Sequence, residues 1–133
     1  MVVAKKAKVP RTHTTRADFE LFKRECGKWV RYFGLTEWQI DYEHDGAVGE
    51  RAACATWLTS KSATLSLNKD WETDEVTDER VQLSAFHEVC ELLITPLDSN
   101  AKCRYIAESE ITEARHGIIR RLENTIYRDI KPK

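Results

Sequence analysis

His87, Glu88 and Glu91 stand together in Leu83-Ser-Ala-Phe-His-Glu-Val-Cys-Glu-Leu-Leu-Ile94, a run otherwise dominated by apolar residues. Positions four apart stack on one face of a helix, so His87 and Glu91 can address a single object. Ionisable groups set in an apolar helix are costly unless they are paired or bound to a metal. The pattern departs by one residue from the zinc-peptidase helix His-Glu-x-x-His: Glu91 stands where the second histidine would be.

Hydrolytic zinc takes three protein ligands and keeps a position for water. His87 and Glu91 supply two. His116 is the favoured third, because two helices joined by a short loop pack antiparallel and bring it back toward the middle of the preceding helix. Glu108, Glu110 and Glu113 compete for the same role. Two histidines and a carboxylate are a donor set that catalytic zinc sites use, and Mn2+ or Fe2+ also suit such ligands. Glu88, beside a ligand without being one, is placed to take a proton from the attacking water and pass it to the leaving amine. Cys90 and Cys103 are weaker ligand candidates, since free cysteines mostly behave as core residues. The competing reading is a hydrogen-bonded polar cluster, with His87 partly buried and both carboxylates on a solvated face.

The elements that must position these residues follow from periodicity. Thr15 to Asp18 caps a helix with Phe19, Phe22, Cys26, Trp29, Val30 and Phe33 at three- and four-residue spacing, and Gly34 ends it. Trp38–Glu43 alternates as a strand, Asp45-Gly46 marks a turn, Ala52–Leu58 forms a second strand and Ala63–Leu67 a third. An extended peptide substrate is expected along the edge of Ala63–Leu67. Asn68 to Thr77 is a polar loop apart from Trp71 and Val76. Thr77, Asp78 and Glu79 open the helix that carries His87, which Pro96 is expected to stop. A last helix spans roughly Arg104 to Arg128, with Ile111, Ile118, Leu122 and Ile126 on one stripe. The fold class is α+β: an N-terminal helix, a small three-stranded, mainly antiparallel sheet, then an active-site helix and a C-terminal helix.

A chain of 133 residues makes one domain with a real core, and 41% hydrophobic with 32% charged residues is an ordinary globular balance. The net charge of −1 gives no overall bias toward nucleic acid or membrane. Lys5, Lys6, Lys8, Arg11 and Arg16 make the N-terminus locally basic, so residues 1–13 are expected to form a flexible tail, with nucleic acid as its secondary partner, ahead of a domain over residues 14–130. No apolar run reaches the roughly 20 residues of a membrane span, and no signal-peptide core is present, which points to a cytoplasmic protein. Cys26, Cys54, Cys90 and Cys103 form no Cys-x-x-Cys pair and are expected to be free thiols.

Three segments together resemble a known group: Tyr32-Phe-Gly-Leu-x-x-Trp38, Ala85-Phe-His-Glu-Val-Cys-Glu-Leu-Leu93 and His116-Gly-Ile-Ile-Arg-Arg-Leu-Glu-Asn124. They resemble small phage and prophage metallopeptidases of the minimal zincin, SprT-like type, over roughly residues 15–127. The resemblance implies a helix packed on a small sheet with the active-site helix beneath it, and a zinc-dependent peptidase acting on a protein or peptide. By position it implies His87 and Glu91 as metal ligands, Glu88 as the catalytic base and His116 as third ligand. The departure is Glu91, giving His-Glu-x-x-Glu; a carboxylate there lowers the charge of the centre by one and makes its water less acidic. A catalytically weak or inactive metal-binding or interaction protein is the alternative this departure implies.

Overall fold

The structure, a computed structural model, describes residues 9–45 and 49–130. Helix α1 (Arg16–Tyr32) is followed by strands β1 (Gln39–Asp45), β2 (Ala52–Trp57) and β3 (Ser62–Asn68), then by helices α2 (Asp78–Lys102) and α3 (Glu108–Leu122). A π-helical turn (Glu123–Tyr127) and a last helical turn, α4 (Arg128–Ile130), extend α3. The α+β arrangement and its element order are those expected from the sequence.

Helix α1 begins at the predicted residue. The Thr15 hydroxyl accepts from the Asp18 amide, and the Asp18 carboxylate accepts from the Thr15 amide at 2.7 Å, a closed capping box. Arg11 adds an ion pair to the same carboxylate. After Phe33 the chain turns through Gly34 at φ +66°, a left-handed conformation that glycine adopts without a Cβ clash.

The sheet is mixed, in the order β1-β3-β2. A tight connection makes β2 and β3 an antiparallel pair, with Cys54 opposite Leu65. β1 joins the far side of β3 and runs parallel to it, with Tyr42 opposite Leu65. Two chain reversals separate β1 from β3, so a strand placed beyond β3 and not beside β2 must be parallel. β3 is therefore central, and its inward side chains Ala63, Leu65 and Leu67 are almost fully buried. That placement corrects the expected peptide edge at Ala63–Leu67, because both sides of β3 are already hydrogen-bonded.

One face of the sheet meets the helices. Phe22 and Cys26 of α1 and Val81, Ala85, Val89 and Leu92 of α2 are all wholly buried against β3 and one another. Contrary to expectation, α2 does not stop at Pro96 but runs to Lys102. Pro96 withdraws one amide from the ladder, yet α3 packs against this part of α2, and Asn100 Nδ2 donates to the Glu110 carbonyl at 3.1 Å. Tertiary packing here outweighs a local breaker. α3 starts at Glu108, later than the expected Arg104, and Arg121 anchors it by donating to the Phe33 carbonyl (3.2 Å) and the Gly34 carbonyl and by pairing with Glu37.

Residues 11–14 are held against the loop before α2. Trp71 donates its amide to Thr12, Val76 to Arg11, and Thr14 to Lys69, each at 2.7–2.8 Å. The expected tail boundary at residue 13 thus falls inside an anchored segment that begins at Arg11. The buried Trp71 and Val76 form its apolar bed. Among the described residues no helix is long and apolar enough to cross a membrane.

Candidate metal centre

Helix α2 carries two adjacent stripes. Val81, Ala85, Val89 and Leu92 form the apolar spine, and Ser84, Glu88 and Thr95 lie beside it, buried but polar. The polar stripe faces the start of β2. Register places Ala52 and Cys54 on the side of β2 that continues Leu65 and Leu67, the helix-facing side. Between the two elements lies an open cavity of about 430 Å3 whose walls include Glu50, Cys54, Leu83, His87, Glu88 and Glu91.

Glu88 is the buried member, at 5% exposure, and its Oε2 has no hydrogen-bond partner. Burial, then a hydrogen bond and the charge of Glu91, then the charge of Glu50, push its carboxyl up to about 9. Cys54 is pushed up to about 12, first by burial and then by Glu88 and Glu91. The Cys54 sulfur and one carboxylate oxygen each of Glu88 and Glu91 all lie within 4.8 Å of one another. Two carboxylates and a thiol this close repel when ionised, and the orphaned oxygen of Glu88 has lost water without gaining a partner. A divalent cation would relieve both penalties. The donors therefore fit a metal ion, and a sulfur beside carboxylates and an imidazole suits zinc or iron.

The structure brings His87, Glu88 and Glu91 to one cavity, as their spacing requires. His87 and Glu91 stand at its exposed rim and Glu88 at its floor. The ring nitrogens of His87 lie outside the close group of Cys54, Glu88 and Glu91. His116 is exposed on α3 and is neither in that group nor on the wall of this cavity. Its rivals Glu108, Glu110 and Glu113 are exposed too, and Glu110 and Glu113 line a separate cavity between α2, α3 and the β2–β3 turn. Cys90 and Cys103 are free thiols outside the group. His13 lies near Asp70 (3.6 Å), and His44 is 2.7 Å from the Thr14 hydroxyl and stacked on Phe19. Of the basic arm, Lys5, Lys6 and Lys8 lie outside the described residues, and Arg11 is committed to Asp18.

Cys54 is the site residue that the sequence alone does not single out. Alternation assigns it to the same side of β2 as Ala52 and Thr56. Which side meets α2, and at what height along the helix, is a property of packing. Comparison of the chain with family models, curated proteins and solved structures gives no match.

Proposed function

We propose that this chain is a zinc-dependent hydrolase of peptide bonds, of the minimal zincin, SprT-like type that its motif resembles, with Mn2+ or Fe2+ as alternative ions. The observation that carries the reading is Glu88: a buried carboxylate with an unpartnered oxygen, on the floor of a cavity rimmed by His87 and Glu91. His87 and Glu91 would hold the ion. When bound, the ion supplies electrostatic activation of water and of the scissile carbonyl.

Glu88 is suited to move the proton. Its Oε2 has no protein donor, and its side chain lines the cavity in which the attacking water would stand. Its raised proton affinity, due to burial and to Glu91, favours accepting a proton from an attacking water and delivering it to the leaving amine. Each half of that transfer works best when the carboxyl is poised close to the working pH, and a cation beside it would bring its affinity down from about 9 toward that range. For the substrate, β2 is an outer strand next to the cavity, and an extended peptide can pair with its free side. Leu83, 60% exposed at the cavity wall, offers such a peptide an apolar contact.

The test is elemental analysis of the purified protein beside Glu91→Ala, His116→Ala and Glu88→Gln, with hydrolysis of unstructured peptides measured on each. About one zinc per chain, lost in Glu91→Ala, together with a Glu88→Gln variant that keeps the metal and loses hydrolysis, supports the reading. A second reading is favoured by the closeness of Glu88 to Cys54 and Glu91: a metal-binding or interaction protein in which Glu88 is itself a ligand. Loss of the metal in Glu88→Gln selects that reading, and absence of any metal uptake removes both.

A further inference from the structure

We propose that Cys54 is a protein donor of this metal centre, as a thiolate supplied by β2 beside the carboxylates of α2. The inference rests on the metal-centre reading above and goes beyond it in naming a ligand that the helix motif does not contain.

Three observations lead to Cys54. The first is position: its sulfur is within 4.8 Å of carboxylate oxygens of both Glu88 and Glu91, whereas His116 stands on another element, exposed and away from the cavity wall. The second is Glu88, nine-tenths buried with an Oε2 that has no hydrogen-bond partner, which lines the same cavity, so the sulfur does not stand alone. The third is that the position of Cys54 is held rigidly. It sits opposite the wholly buried Leu65 in the β2–β3 ladder, and α2 packs directly on β2. Ligands borne on a strand and a packed helix hold their geometry better than ligands on loops.

Charge favours the same set. A divalent cation offsets the charges of the Cys54 thiolate and the Glu91 carboxylate, which lowers the cost of holding two anions so close in a half-buried cavity. Binding is a simple exchange: the sulfur–metal bond forms as the thiol proton leaves to solvent, with no change of oxidation state. The consequence is selectivity. A His/Glu set of nitrogen and oxygen donors can still hold manganese, but a thiolate shifts preference toward zinc, cobalt and iron and away from manganese.

Cobalt(II) titration of the metal-free protein tests this, because cobalt bound to a thiolate shows a sulfur-to-metal charge-transfer band in the near ultraviolet that oxygen and nitrogen donors do not give. We expect the band in wild type and in His116→Ala, and its loss in Cys54→Ser with affinity weakened about tenfold or more. A wild-type cobalt complex without the band, or a band that survives in Cys54→Ser, overturns the assignment while leaving a metal centre in place. Failure of wild type to bind cobalt or zinc at all overturns the metal reading itself. Should Cys54→Ser not fold, alkylation of the wild-type protein with and without zinc decides: Cys54 protected by the metal while the exposed Cys103 still reacts supports the assignment, and equal labelling of Cys54 refutes it.

Discussion

The carboxylate of Glu88 and the sulfur of Cys54 lie within 4.8 Å of each other, one projecting from the third turn of α2 and the other from an outer strand. Neither atom has the environment of an ordinary core group. The thiol is held protonated by burial and by the neighbouring carboxylates, and Glu88 has an oxygen sealed from solvent with no donor on it. The contact is unfavourable for the protein alone, and a fold keeps such an arrangement chiefly at functional sites.

This cost is measurable without any substrate. Glu88 binds its proton up to about pH 9 in the folded protein, against an ordinary 4.5. Between those values the unfolded chain has released a proton that the folded chain keeps, so stability of the metal-free protein should fall as pH rises from 5 to 9. Glu88→Gln should flatten that slope and raise the melting temperature at pH 8. Melting curves across the range would show it, and equal slopes in the two proteins would contradict it.

Asp18 should behave with the opposite sign. Burial pushes its carboxyl up, but hydrogen bonds from Arg11 and from the Thr15 backbone and hydroxyl outweigh this and hold it below its ordinary 3.8. Its contribution is therefore present at neutral pH and disappears as pH falls through the acid range. Asp18→Ala should cost about 1–2 kcal/mol at pH 7, from the lost cap and ion pair. Urea titrations at pH 7 and pH 3 should show the difference shrinking in acid.

Arg121 is the clamp between α3 and the end of α1, through the Phe33 and Gly34 carbonyls and Glu37. α3 has no fully buried residue of its own, so few other contacts replace it. Arg121→Ala should cost about 1–2 kcal/mol. Amide exchange should accelerate along Glu108–Leu122 while α2 stays protected; unchanged exchange in α3 would show that its apolar stripe alone holds it.

Trp71 fixes the N-terminal segment to the domain. It is buried at 4% exposure, its indole donates to the Arg51 carbonyl at 3.1 Å, and the Arg51 guanidinium stands over its ring. Trp71→Ala should cost about 3–5 kcal/mol. It should also expose residues 11–14 to limited proteolysis. Persistent protection of that segment would place its anchorage elsewhere.

Much of the local structure was legible in residue order. The Thr15–Asp18 cap, the Gly34 stop, the alternation in Ala63–Leu67 and the start of α2 at Thr77 each depend on neighbours in the chain, and each stands where expected. Pro96 was misleading because its local penalty is smaller than the packing that carries α2 on to Lys102.

The sequence by itself determined the element types and put His87 and Glu91 on one helical face with Glu88 beside them, since a period of 3.6 residues needs no tertiary information. Tertiary structure alone decided that β1 lies beyond β3, that β2 is an outer strand, that Glu88 is the carboxylate driven into the interior, and that Cys54 meets it while His116 stays outside. Those outcomes depend on which faces of a sheet and a helix bury each other, and long-range packing sets that choice where local pattern leaves several solutions equal.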